Sequence, residues 1–240
     1  NSISENLRQF QRPESLRIIE KLEDFNVSHA ERSKIGLRLD ELGDPRYGIG
    51  IDDNGIPQIA WCKVKTGSNS VDIKGINRKF SVHPVFKSKY TVTLKQFQSF
   101  IDSDDGFYNE EWWYELNKSP YRHKQWVQIT DVGNHPSVRA SWYQAVAFCR
   151  WLSSKLKYHV RMPFEWEWQN AATHGNTSNL YPWGRDWEPN YCNSIASGLY
   201  NYISVGMYPS GNSKSVIVDL AGNMYEWCLN EYDNPELIFD

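Results

Sequence analysis

Ten residues near the end of the chain carry the densest set of groups that could do chemistry: Asp219-Leu220-Ala221-Gly222-Asn223-Met224-Tyr225-Glu226-Trp227-Cys228. Gly222-Asn223 is turn chemistry, because both residues tolerate positive φ. Met224, Glu226 and Cys228 alternate with Tyr225 and Trp227, the pattern of a short half-buried strand. A turn offering carboxylates and backbone carbonyls suits a hard cation such as Ca²⁺, which takes about six to eight oxygen ligands. The same ten residues also read as a plain hairpin whose acids face water.

Other chemistry-bearing residues are less concentrated. Glu165 and Glu167 stand two apart on a predicted helix, where they do not face each other. Pairing with Arg161 or capping a neighbouring loop is therefore expected of them rather than acid–base work. The six histidines are scattered, and no H-x-x-x-H or H-E-x-x-H spacing occurs. The four cysteines, Cys62, Cys149, Cys192 and Cys228, form no C-x-x-C pair, which excludes a zinc ribbon or a thioredoxin motif. Cys149 falls on an apolar helix face and reads as a small hydrophobe. A sparse set without a framework suits a reducing cytoplasm, the expected compartment.

The elements that must position these groups follow from local signals. Ser28-His-Ala-Glu31 is a capping box that opens a helix through Ile35, Leu39 and Leu42, with Gly43 as its C′ residue and Pro45 beyond. Asp52-Asp53-Asn54-Gly55 reads as a turn, since it lacks the later Glu of a calcium-binding EF-hand loop. Ile59–Val64, Val71–Ile76 and Tyr90–Thr93 are strand candidates. Thr93 with Gln96 and Ser141 with Gln144 form two more capping boxes. The first opens a helix with Leu94, Phe97 and Ile101 in register. In the second helix Trp142, Ala145, Val146, Cys149, Leu152 and Leu156 are expected along one face. Pro163 sits where the first turn of the next helix accepts it. Residues 173–218, rich in Asn, Gly and Ser, read as loops, where binding usually resides.

Composition bounds the answer. The chain has 240 residues, 40% of them hydrophobic, eleven Trp and a net charge of −3. Mean hydropathy is −0.64. No apolar run approaches the roughly 18 residues of a membrane span. The charge argues against a basic nucleic-acid footprint. Most of the Trp residues are expected to fill a core poor in long elements. Residues 1–58 read as a helical leader and 59–240 as the domain proper.

Six pieces, in order, resemble the formylglycine-generating enzyme (sulfatase-modifying factor) family. Asp219–Cys228 is similar to its G-N-x-W-E-W signature. Phe86-Lys-Ser-Lys-Tyr90-Thr-Val-Thr93, running into Gln96-Phe97, resembles its Y-E-V-T opening motif. Pro136-Ser-Val-Arg-Ala-Ser-Trp142, with Ala145, Phe148-Cys149 and Trp151-Leu152, resembles P-V-x-x-V-S-W-x-x-A-x-x-F-C-x-W-L. Arg161-Met-Pro163-Phe-Glu165-Trp-Glu167-Trp168 resembles R-L-P-T-E-A-E-W. Tyr181-Pro-Trp-Gly184 and Val205-Gly206-Met-Tyr-Pro209 complete the set. The L-G-D-P-R-x-G stretch at Leu42–Gly48 is similar to leaders that precede such domains in larger bacterial multidomain proteins.

The resemblance implies an α+β fold of the C-type-lectin-like kind, poor in regular structure. It implies a structural Ca²⁺ held by the side chain of Asp219, the carbonyls of Gly222 and Met224, and the carboxylate of Glu226. A second family site would use Asn193 and an acid four residues later, where this chain has Ser197. The family's enzyme holds copper(I) on two cysteines downstream of the signature, and neither Cys149 nor Cys228 matches them. The expected function is a non-catalytic, calcium-stabilised module of a larger protein. It would bind a protein or small ligand through loops 173–218 and the C-terminal region, as a display scaffold with a variable C-terminal region does. Nucleic acid and membrane are not expected partners; an upstream domain or a second chain is. The alternative is a copper-dependent oxidase that converts a protein cysteine to formylglycine. Family members continue into further strands, so Asp240 is not expected to end the folded unit. Trp227, Leu229 and Leu237-Ile238-Phe239 would then lack their covering partners.

Overall fold

The computed structural model describes residues 11–73, 76–116 and 126–233. It is an α+β chain of five α-helices, two small sheets and long irregular connections among those residues. Two helices form the leader, α1 (Glu14–Lys21) and α2 (His29–Leu42). Ser28 Oγ caps α2 by accepting from Glu31 N, and Gly43 closes it at φ 78°. The leader lies on the body of the chain: Leu22, Ile35 and Leu39 pack with Ile203, Met207 and Tyr208. The buried guanidinium of Arg32 pins this contact by donating to the carbonyls of Leu22, Asp24, Val27 and Met207. Four carbonyls around one cation offset its loss of water without an acidic partner.

Four strands follow: β1 (Trp61–Val64), β2 (Gly67–Ile73), β3 (Ile76–Val82) and β4 (Val85–Ser88). β1 pairs with β4 and β2 with β3, both antiparallel. The registers Trp61↔Ser88 and Gly67↔Val82 belong to one continuous hairpin, broken at Lys65-Thr66 opposite His83-Pro84. Pro84 has no N–H for the ladder, which explains the break. A single strand over Val71–Ile76 is therefore corrected, because Ile73 pairs with Ile76 and the chain reverses there. Tyr90–Thr93 is not a strand either; only Thr93 makes an isolated bridge, to Pro136.

Three helices complete the frame: α3 (Leu94–Asp102), α4 (Trp142–Leu156) and α5 (Glu165–Thr173). Of the three expected capping boxes two are complete, Thr93/Gln96 on α3 and Ser141/Gln144 on α4, whereas on α2 only the Ser28 half forms among the described residues. Gln96 does more than cap. Its Nε2 donates to the carbonyls of Gly48, Gly50 and Gln58, tying the leader loop to α3. The Asp52–Gly55 turn is closed by Asp52 Oδ1, which accepts from the N–H groups of Asn54 and Ile56.

The main core lies between α3, α4 and the 3₁₀ turn Glu110–Trp113, and aromatic rings fill it. Phe97, Phe100, Phe107, Trp113, Phe148 and Trp151 meet there at tilted or edge-on angles. These are the geometries a ring quadrupole favours. The buried face of α4 is rotated from the expected stripe. Ala147, Phe148 and Trp151 join the expected Val146 and Leu152 on its buried face, whereas Trp142, Ala145, Cys149 and Leu156 flank them, partly buried. Leu229 is buried in this core, so it does not lack a cover, whereas Trp227 stays 55% exposed. Leu237-Ile238-Phe239 lie outside the described residues.

Candidate functional site

The 219–228 segment is held by backbone chemistry. Three of its residues have left-handed backbone: Asp219 at φ 54°, Gly222 at φ 78° and Asn223 at φ 58°. Gly222 also has to be glycine for space, since a Cβ there would stand 2.4 Å from the carbonyl oxygen of Asn193. Asn223 clamps the turn. Its N–H donates to Asn193 O at 2.7 Å, its Nδ2 to Ile203 O, and its Oδ1 accepts from Ile203 N and Asn193 Nδ2. Downstream, Trp142 Nε1 donates to Cys228 O, Trp227 Nε1 to Ala140 O, Leu229 N to Pro163 O, and Glu165 N to Asn230 Oδ1. The turn is thereby fixed to the N-terminal ends of α4 and α5.

The expected half-buried strand does not form. Residues 221–228 have no ladder partner, and Tyr225 is fully exposed. With the aromatics outward, Glu226 and Cys228 turn inward. Asp219 Oδ2 accepts from Gly206 N at 2.7 Å. Burial pushes the Asp219 carboxyl up to about 6; the Gly206 bond and Arg46 act against this, and the charge of Glu226 adds to it. Glu226 Oε2 accepts from Lys87 Nζ at 3.0 Å, with the lysine side chain 9% and the glutamate side chain 13% exposed. Asp219 Oδ1, Glu226 Oε1 and the carbonyls of Gly222 and Met224 accept no hydrogen bond among the described residues.

These four expected ligand residues line one cavity of about 1560 Å³, rimmed by Ile195, Tyr200, Tyr225 and Trp227. A second cavity of about 700 Å³, lined by Lys87, adjoins it through Met224–Trp227. No three His, Cys, Asp or Glu side chains gather into a metal cluster among the described residues. An ion on this turn would instead draw on two carboxylates and two carbonyls, a hard-oxygen set suited to Ca²⁺. The unbonded oxygens fit that role, and a cation there would offset the burial that raises the Asp219 carboxyl. At the second family position, Asn193 Oδ1 accepts from Ser197 Oγ at 2.8 Å, so its side-chain oxygen is engaged.

Glu167 is structural, as its spacing implies. Arg161 grips both its oxygens at 2.7 and 2.8 Å, and Glu167 Oε2 also accepts from Phe164 N at the start of α5. All four thiols are pushed up by burial, Cys149 and Cys228 to about 12. Sequence reading missed Lys87 as the partner of Glu226. Val85 and Phe86 are adjacent apolar residues on opposite faces, so alternation alone does not say which side is inward. Only the fold places Lys87 there.

No helix among the described residues is long and apolar enough to cross a membrane. The profile of the sulfatase-modifying factor enzyme 1-like domain matches residues 61–237. Among curated proteins, the chain is 29% identical over 160 residues to the serine/threonine-protein kinase pkn1 of Chlamydia pneumoniae, covering 64% of this chain and 24% of that one. It is 29% identical over 133 residues to the inactive C-alpha-formylglycine-generating enzyme 2 of Bos taurus, covering 50% and 42%. To the formylglycine-generating enzyme of Thermomonospora curvata it is 34% identical over 115 residues, covering 42% and 35%. The chain thus spans under half the length of each of these relatives. With a profile match across most of its length and the G-N turn built as described, the chain belongs to the formylglycine-generating enzyme, or sulfatase-modifying factor, family.

Proposed function

We propose that this chain is a non-catalytic member of its family: a C-type-lectin-like, calcium-stabilised binding module of a larger bacterial cytoplasmic protein. The observation that carries the reading is the rim of the large cavity, where Ile195, Tyr200, Tyr225 and Trp227 are exposed side by side with polar Asn201 and Asn230. Exposed aromatics of this size are costly in water unless a partner covers them, and Tyr and Trp are the usual anchors of recognition surfaces. A protein segment or a small ligand would enter through the 173–218 loops and the C-terminal region. As a display scaffold, the frame of α3, α4 and α5 stays fixed while the rim varies.

Ca²⁺ would sit on Asp219, Gly222, Met224 and Glu226. When bound, it supplies a counter-charge for two acids and ties the turn together. The chain's own part is to hold the turn open through Gly222 and Asn223 and to aim the oxygens. The longer relatives support a place in a larger protein, and an upstream domain or second chain is the expected neighbour.

The relatives named formylglycine-generating enzyme favour a second reading, a copper-dependent oxidase of a protein cysteine. Copper(I) needs soft thiolates, and neither Cys149 nor Cys228 matches the family's copper cysteines. The binding reading is preferred because it draws on residues placed here, the exposed rim of the large cavity.

Selection of displayed random peptides on the immobilised chain tests the proposal. Peptides should be enriched on the wild type and lost on a Tyr200→Ser/Tyr225→Ser variant. No enrichment, or enrichment that the variant retains, would overturn it.

A further inference from the structure

Lys87 comes from β4 and Glu226 from the signature turn, yet they form a single-bonded ion pair at 3.0 Å in near-complete burial. Removing a lysine ammonium from water is costly unless the partner repays it. Here only one carboxylate oxygen is spent, and the other accepts nothing among the described residues. The same glutamate shares its cavity with Asp219, whose half-buried carboxyl has no cation in direct contact among the described residues, Arg46 acting on it only from a distance. The turn therefore holds more acid than its resident cation neutralises.

We propose that Lys87 is an internal cation that competes with a divalent ion for Glu226. The turn then exchanges between a lysine-held state and an ion-held state. The inference rests on the calcium reading of the turn and adds a residue that sets how strongly the ion is held. An ion ligated by Glu226 at about 2.3–2.6 Å would stand beside an ammonium that touches the same carboxylate. Positive charges that close repel strongly where water is scarce. Binding thus requires Lys87 to withdraw, and the cavity of about 700 Å³ that it lines gives the ammonium room to do so. The consequence is weak binding: the ion replaces a counter-charge already in place and gains only the difference. Lys87 accordingly keeps the turn formed when no ion is present.

Calorimetric titration of the chain with Ca²⁺ tests this in three forms. Wild type should bind weakly. Lys87→Met should bind tighter by roughly tenfold or more, about 1.4 kcal/mol. Lys87→Arg, which keeps the charge, should follow wild type. Equal affinities of wild type and Lys87→Met would overturn the competition while leaving the calcium site standing. No binding by any form would overturn both. Lys87→Met leaves Glu226 without its cation and could fail to fold before ion is added, so a measurement on the wild type runs beside it. Acylation of amines, mapped by mass spectrometry, should find Lys87 protected without Ca²⁺ and labelled with it. Labelling that Ca²⁺ leaves unchanged would contradict the withdrawal of Lys87.

Discussion

Glu167 and Glu226 both lie in motifs of this family, and both meet a cation, but their settings differ. Glu167 is six residues from Arg161, is gripped on both oxygens, and in addition caps Phe164 N. Glu226 meets Lys87 across 139 residues of sequence through one oxygen. A planar guanidinium matches a carboxylate in a fixed fork, whereas an ammonium is a point charge on a flexible stem. The first pair is saturated and serves as a joint between the 161–164 strap and α5. The second is unsaturated and faces a cavity, the setting in which exchange with an ion is proposed. Two family carboxylates of the same type are thus separated into a saturated and an unsaturated one by what surrounds them.

The largest effect should come from breaking the saturated pair. Arg161→Ala should cost about 2–3 kcal/mol, less than a fully buried pair because Arg161 is partly exposed. Urea unfolding measures the cost, and Ca²⁺ should not restore it. Gly222→Ala comes next, at about 1–3 kcal/mol for the strained left-handed position; thermal unfolding should show a lower midpoint in EDTA and in Ca²⁺ alike.

Asp219 gives the pH behaviour. Its folded carboxyl is raised to about 6, so its contribution is full below its ordinary value near 4 and is lost as pH rises through about 6. Without metal, the wild type should lose stability across that window. Asp219→Asn should flatten the loss, as followed by thermal unfolding at several pH values. The smallest effect concerns the thiols: with Cys149 and Cys228 pushed up to about 12, iodoacetamide at neutral pH should label the native chain slowly and the urea-unfolded chain fast. Rapid labelling of native Cys228 would contradict the burial that raises its thiol.

The sequence made local chemistry readable. The boxes at Thr93/Gln96 and Ser141/Gln144, the Gly43 stop and the Arg161–Glu167 pair depend on residues within a turn or two of each other, and all are found. Long-range matters were not readable. The reversal between Ile73 and Ile76 lies inside a run that also reads as one strand, and only the pairing with the rest of the ribbon decides. The rotation of α4 follows from which rings α3 and the Glu110–Trp113 turn present to it. At the candidate site, the family motif named four residues that line one cavity, whereas Lys87 and the clamp from Asn223 to Ile203 required the fold. The 219–228 alternation was misread because hydrogen bonds to Asn193, Ile203 and Pro163 replace a strand ladder.

Thermal unfolding of the wild type and of Glu226→Gln, each in EDTA and in millimolar Ca²⁺, tests most directly whether Glu226 is exchangeable while Glu167 is not. Glu226→Gln keeps the side chain's shape and removes its charge. The account predicts a higher midpoint for the wild type in Ca²⁺ than in EDTA, and no difference for Glu226→Gln. A wild-type midpoint indifferent to Ca²⁺, or a Glu226→Gln midpoint that still rises with it, would contradict it.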